Sequence, residues 1–354
     1  MRAEYIVGLI VLFLVVVGLA TLFLTSQGES PNALSKENSI KYQEIVNPSG
    51  FVNTQNITIG ELIGKKVILV DFMTYSCINC QRTFPYLTLW YEKYKGEGLE
   101  IVGIHTPEFA FEKDKKNVED AMKKFNITYP VVLDNDYATW RAYDNNYWPR
   151  KYLIDIYGNV VYDHIGEGAY EETEMKIREL LLGRAQVLGE AGSSHIDETL
   201  ATSLIPKKEN FAQSPEIYFG SLRNEYLANG NPGRTGKKEF TFPNVFTLNS
   251  LYLDGVWNIT PEYAESISNS RLVYKYQAQD VYIVAEGDVP VKIEVWQDGS
   301  LVSSAGAGED VKEGIVTIQE SRLYKLIHND EPGEHVLEIR MPKGGIRLYA
   351  FTFG

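Results

Sequence analysis

The sequence predicts an α/β domain followed by an all-β sandwich of jelly-roll character, with one N-terminal transmembrane helix ahead of both. Three observations predict this. An uncharged apolar run opens the chain; apolar strands alternate with amphipathic helices over residues 49–183; short β-branched and aromatic runs, punctuated by Gly, Pro, Asn and Asp, fill residues 214–354. A length of 354 residues leaves room for two ordinary domains. The net charge of −13 argues against nucleic acid as a partner, because phosphate binding needs clustered Lys and Arg.

An acidic surface binds anionic lipid poorly, so membrane attachment has to come from apolar sequence. Tyr5 to Leu24 reads YIVGLIVLFLVVVGLATLFL, without a charge. A helix of that length rises about 30 Å, enough to cross a bilayer's hydrocarbon core. Arg2 precedes it, so the positive-inside rule puts the N-terminus in the cytoplasm and the bulk of the chain outside. The run exceeds the roughly 7–15 apolar residues of a cleaved signal peptide and lacks an A-x-A site. Residues 1–25 are therefore expected to stay as a single-pass anchor in the cell membrane, and the polar residues 26–48 to form a flexible tether.

Val67 to Phe72 is a short apolar run of the kind found in buried strands. Phe84, Leu87, Trp90, Tyr91 and Tyr94 recur at helical spacing over residues 79–95, and Gly96 and Gly98 stop that helix. A second strand is expected at 99–105, an amphipathic helix at 113–125, strands at 131–133, 150–155 and 159–164, and a closing helix at 171–182. Strand, helix, strand, helix, strand, strand, helix is the order of the thioredoxin fold, whose βαβ start requires a parallel pair with a right-handed crossover. Residues 184–213 lack periodicity and are expected to link the domains. Beyond them, strands are expected at 272–276, 280–285, 291–297, 315–318, 323–327, 335–341 and 346–353.

Cys77 and Cys80 are the only two cysteines. An exported chain that avoids Cys elsewhere, yet keeps a Cys-x-x-Cys at a strand-to-helix junction, points to thiol–disulfide exchange. At a helix N-terminus, free N–H groups and the helix dipole favour a thiolate at Cys77, and the thiolate is the nucleophile. Cys80, one turn later, is within disulfide reach and is expected to be more buried. Cys77 would form the mixed disulfide and Cys80 resolve it. Half a zinc site is the competing reading. Zinc usually takes four protein ligands, no second Cys pair exists, and the five His show no ligand spacing. No metal and no cofactor beyond the redox-active Cys77–Cys80 disulfide is expected. A peroxiredoxin-like site is disfavoured because Val70 stands where that motif needs Pro.

The run Val70 to Thr83 (VDFMTYSCINCQRT) closely resembles the thioredoxin-like domain of DipZ proteins, in the TlpA/ResA branch of the thioredoxin superfamily. The likeness continues through Gly103 to Glu112, Leu133 to Trp140 and Tyr147-Trp148-Pro149, and covers about residues 49–183. Residues 214–354 are similar to the carbohydrate-binding-like β-sandwich that follows in DipZ proteins, on Leu253 to Trp257 and Tyr349 to Gly354. The resemblance implies a reductase of protein disulfides, with thiol-bearing client proteins, apocytochrome c among the candidates. DipZ proteins usually begin with a multi-span CcdA-type domain. A single span implies that a separate CcdA-like membrane donor supplies the electrons.

The resemblance also assigns roles. Asp71 falls at the buried acid beneath the cysteines, where it could relay a proton to or from Cys80; a strand-end carboxylate satisfied by a backbone or Lys partner is the alternative. Pro149 falls at the cis-proline that faces the cysteines, and Trp148 would border the substrate groove. Without the resemblance, a trans proline and a core Trp148 fit equally well. Tyr75 would cover Cys77. Glu108 aligns with an acidic residue held near the cysteines, and His105 ends the same strand. In the second domain Trp257, Trp296, Tyr252 and Tyr349 could stack on sugar rings, although strand aromatics more often fill a core. An oxidant or isomerase using the same cysteines, and a glycan- or surface-binding protein with a minor redox role, remain as alternatives.

Overall fold

The computed structural model describes residues 40–190, 196, 199–206 and 211–354. The expected transmembrane helix and most of the tether lie outside the described residues. Among those described, no helix is long and apolar enough to cross a membrane.

The first domain is built on β2 (Val67–Met73), buried along its whole length. It runs parallel to β3 (Leu99–His105), which is parallel to β4 (Val131–Leu133). A short edge strand, β1 (Gly50–Val52), pairs antiparallel with β4. On the other side β5 (Arg150–Ile154) is antiparallel to β2 and to β6 (Val160–Ile165). The sheet order is β1-β4-β3-β2-β5-β6. This is the thioredoxin sheet, with β1 added at its edge.

Successive strand residues point to opposite faces. Val67, Leu69 and Met73 of β2 therefore share one core with α1 (Ile78–Tyr94), α2 (Lys115–Lys124) and α4 (Tyr170–Val187), through Phe84, Leu87, Val118 and Ile177. Ile68, Val70 and Phe72 share the other, where Phe72 meets Trp140 of α3 (Ala138–Ala142), Tyr143 and Tyr152 edge-on. The same alternation turns Asp71 toward the α1 face.

The expected tether and the expected linker are both tied down where they are described. Residues 41–46 strap the domain: Glu44 accepts from the N–H groups of Ile59 and Gly60 at 2.7 and 2.8 Å, and Lys41 bridges to Asn159. Past α4, a short 3-10 turn at Ala201–Leu204 docks on the helix, with the N–H groups of Ala201 and Thr202 donating to Glu174 at 2.5 and 2.8 Å.

The second domain is all β. Its strands are β7 (Ile217–Tyr218), β8 (Gly236–Phe240), β9 (Ser250–Ile259), β10 (Ala264–Ser266), β11 (Ser270–Gly287), β12 (Val291–Gln297), β13 (Ser300–Leu301), β14 (Ile315–Ile318), β15 (Arg322–Met341) and β16 (Ile346–Phe353). They form one antiparallel path, β13-β12-β15-β11-β16-β10-β9-β8, with β14 on β12 and β7 on β16. The sheet folds over on itself. Leu251, Leu253 and Trp257 of β9 share a core with Leu272, Tyr274 and Tyr276 of β11, although the two strands are not neighbours in the path.

Two expected strand pairs are single long strands. Residues 272–276 and 280–285 both belong to β11, and 323–327 and 335–341 both belong to β15. The polar interruption 277–279 resembles a turn in sequence, but the β11–β15 ladder passes through it with a register shift between Ala278 and Asp280. A bulge of this kind bends a strand without ending it.

The domains meet on an apolar cluster. Ile78, between the two cysteines, and Phe109 pack with Tyr282, Val284, Leu323, Tyr349 and Ala350. Tyr349 lies 5.0 and 4.8 Å, centroid to centroid, from Phe109 and Phe111.

Candidate active site

β2 ends at Met73 and α1 begins at Ile78, so Thr74 to Cys77 turn the chain at the C-terminal edge of the central strand. Cys77 is the N-cap of α1, with extended backbone (φ −74°, ψ 121°), and its Sγ accepts the N–H of Cys80 at 3.4 Å. The helix N-terminus thus directs a donor and its positive dipole end at this sulfur. Both cysteines are free thiols; Cys77 is half-buried and Cys80 fully buried. Burial pushes the Cys80 thiol well above its usual range, and the adjacent Cys77 and the Asp71 charge add to the effect.

Asp71 lies beneath Cys80. Its carboxyl is fully buried, neither oxygen has a hydrogen-bond partner, and burial raises its pKa to about 7. Lys151 sits directly across on β5, in register with Asp71, and its charge pulls the carboxyl back down. The lysine is itself buried, donates to the Gly166 carbonyl at 3.2 Å, and is lowered by burial. The Tyr129 hydroxyl is also buried without a partner; after burial, the charges of Asp71 and Cys80 act on it most strongly. The charges of Asp71 and Cys80 thus act on both Lys151 and Tyr129, and all four groups are buried.

Glu112 was missed as a site residue. Its buried carboxylate accepts from the Ser76 hydroxyl at 2.6 Å, and from the N–H groups of Ser76, Glu108 and Phe109 at 3.3, 2.5 and 3.0 Å. It thereby ties the residue before Cys77 to the turn after β3. Burial outweighs these donors and raises it to about 7. The available signal was local: a Glu three residues after Phe109 in capping-box register. His105 is buried, stacked on Tyr75 at 5.7 Å, and held down to about 3 by burial, so it is neutral.

The Trp148–Pro149 peptide is cis. Because Arg150 pairs with Phe72, Pro149 lies at the end of β2 from which the cysteine loop departs. The Trp148 indole donates to the Thr106 carbonyl at 3.1 Å, and the Thr106 N–H donates to Met73 at 3.1 Å, which gathers the three loops at one sheet edge. The main-chain N–H and C=O of Trp148 engage no other group among the described residues.

Tyr75 and Glu108 both bond to the second domain, a contact that the sequence did not indicate. Tyr75 is only 3% exposed and donates to the Ser321 carbonyl of the second domain at 3.1 Å, which fixes it beside the cysteine loop. Glu108 receives Arg223 at 2.7 Å and the Tyr218 hydroxyl at 3.0 Å, both from the second domain. Of the aromatics weighed for sugar stacking, Trp257 and Tyr252 are buried, Tyr349 is spent at the domain interface, and Trp296 carries the Arg340 guanidinium 3.7 Å above its ring. Core packing, interface packing and, for Trp296, the stacked guanidinium engage them.

Residues 41–181 match the family model described as Redoxin, and residues 214–354 the one described as Thioredoxin like C-terminal domain. Protein DipZ of Mycobacterium tuberculosis is 36% identical over 310 residues, which cover 86% of this chain and 42% of that protein. The thiol-disulfide oxidoreductase ResA of Bacillus subtilis is 36% identical over 109 residues, 31% of this chain and 58% of its own length. A second protein from that organism, the thiol-disulfide oxidoreductase YkuV, is 26% identical over 138 residues, 39% of this chain and 92% of its own. The chain therefore spans less than half the length of the DipZ protein it matches.

Proposed function

We propose, from its likeness to a Redoxin domain followed by a thioredoxin-like C-terminal domain and to DipZ, ResA and YkuV, that this chain is a TlpA/ResA/DipZ-like thiol–disulfide oxidoreductase that reduces disulfides of extracytoplasmic client proteins while anchored to a membrane. One observation carries the mechanism: a solvent-reached thiol capping a helix stands beside a buried thiol whose ionisation feels a buried carboxyl that has no hydrogen-bond partner. The Cys77 thiolate attacks one sulfur of the client disulfide. A Cys77–client bond forms, the client S–S bond breaks, and the other client sulfur leaves as a thiolate. Cys80 then gives its proton to Asp71 and attacks Cys77 Sγ, expelling the first client sulfur. The client gains two electrons, and the chain is left with a Cys77–Cys80 disulfide.

The unengaged main chain of Trp148 offers one donor and one acceptor to an extended client segment, the basis of strand-like peptide capture. The anchor is the apolar run Tyr5 to Leu24, and a CcdA-like membrane donor returns the two electrons. The direction of flow is tested by equilibrating the cysteine pair with glutathione. A potential near that of thioredoxin, roughly −270 mV, is expected; a value above about −180 mV would make the protein an oxidant or isomerase instead.

A further inference from the structure

We propose that the second domain supplies one wall of the client site, and that the enzyme selects disulfides whose cysteine has an apolar or aromatic neighbour in an extended segment. The proposal rests on the oxidoreductase reading above and adds the substrate class to it.

A cavity of about 340 Å³ opens beside Trp148. Glu108, Tyr137 and Trp148 form its first-domain side, and Tyr218, Leu222 and Pro261 are among the second-domain residues facing them. Ligand pockets run from about 300 to 1,000 Å³, so this one has room for a side chain or two but not for a folded partner. Its polar groups are already committed. Glu108 is neutralised by Arg223 at 2.7 Å and accepts the Tyr218 hydroxyl at 3.0 Å, and the Glu262 carboxylate accepts the Ala110 N–H at 3.0 Å. Apart from Arg223, whose guanidinium stacks on the Tyr218 ring, what remains to meet a ligand is mainly aromatic and aliphatic surface, including Leu222, which is 74% exposed. The wall is stiff. A β-carbon at Gly220 would meet the Glu262 carbonyl carbon at 2.2 Å, and the Leu222 N–H donates to the Pro261 carbonyl at 3.1 Å.

The second domain also occupies the other approach. Ile78, the residue after Cys77, is buried beneath Tyr282, Leu323 and Tyr349, and Tyr75 is tied to Ser321. A client reaching Cys77 is left with the Trp148 side, where a segment pairing with the open main chain of Trp148 would place a residue adjacent to its cysteine in the cavity. A larger cavity of about 570 Å³ lies beyond Tyr75, but its lining carries Asp120, Lys124, Glu320 and Arg322 and does not include Trp148.

The test traps the mixed disulfide. The full-length chain carrying Cys80→Ser is reacted with short peptides whose cysteine is activated as a mixed disulfide, and which hold a photo-reactive leucine analogue on one or the other side of that cysteine. After irradiation, cross-links on residues 217–223 or 261–262 are expected from one of the two peptides. In parallel, wild-type kcat/KM should be about fivefold or more higher for a disulfide peptide with leucine beside its cysteine than for its glycine counterpart. Cross-links confined to residues 41–181 or to the larger cavity, or equal rates for the two peptides, would overturn the second-domain wall and leave the oxidoreductase reading standing. Failure of Cys77 to form a mixed disulfide with any peptide would overturn both.

Discussion

At the scale of single residues, the chemistry turns on how a buried carboxyl is used. Asp71 has no hydrogen-bond donor, and its ionised form is supported by Lys151 through charge alone. Burial dominates and sets its pKa at about 7. Below that pH the group is protonated and cannot accept the Cys80 proton; above it, the carboxylate is a base placed beneath a thiol that burial keeps protonated. Resolution of the mixed disulfide by Cys80 should therefore accelerate as pH rises through about 7. Asp71→Asn removes the base while keeping shape, and a general base contributes roughly 10²- to 10⁴-fold. The variant should resolve the mixed disulfide about 100-fold more slowly at neutral pH, and its acceleration should move to the higher pH at which Cys80 ionises unaided. Stopped-flow release of a fluorescent client thiol measures both. An Asn variant that keeps the wild-type pH profile would remove Asp71 from the proton path. Lys151→Met supplies the complementary comparison, because losing the cation should move the wild-type inflection upward.

Helices and strands determine which of these residues meet. Cys77 acts as cap and as thiol at once, and the two roles separate by substitution. Cys77→Ser and Cys77→Ala should both abolish exchange, but Ser is a strong N-cap and Ala is not. In urea under reducing conditions the Ser variant should be more stable than the Ala variant by about 1 kcal/mol; equal midpoints would mean that a side-chain acceptor at this cap contributes little to the helix. The elements around this cap were legible because their signals are local. The apolar run of β2, the helical spacing from Phe84 to Tyr94, and the Cys-x-x-Cys between them all lie within one stretch of chain. Alternation along β2 even indicates the face that Asp71 shares with α1. Lys151 was not legible, since it reaches Asp71 only through the antiparallel register of β5 on β2, and pairing register between distant strands leaves no mark in either segment. The short β1 and α3 offer too few residues for a period to show. In the second domain the polar breaks inside β11 and β15 mimic turns, because a bulge and a turn draw on similar residues.

On the scale of the whole molecule, the two domains act as one object around the cysteines. Tyr349 is the centre of their contact. Its ring packs on Phe109 and Phe111, its hydroxyl donates to Glu286, and the same cluster buries Ile78. Arg82, on α1, extends the contact. Its guanidinium lies 5.8 Å from the Tyr282 ring centroid and so close to Gly354 that a β-carbon there would meet Nη2 at 2.0 Å. Truncating a large buried aromatic costs about 3–5 kcal/mol where the site cannot collapse. In Tyr349→Ala that loss falls mainly on the coupling between domains, since each keeps its own core of buried residues. Wild-type chain should unfold in urea as one transition with coincident fluorescence and circular-dichroism curves, and the variant as two. The same substitution should change which substrates react. With Ile78 no longer covered, a bulky protein disulfide such as insulin gains access to Cys77 from the side that the second domain now occupies. The insulin rate should rise relative to that of a short peptide disulfide. If the variant unfolds in two steps while that ratio stays fixed, the interface stabilises the molecule without governing access from the Ile78 side.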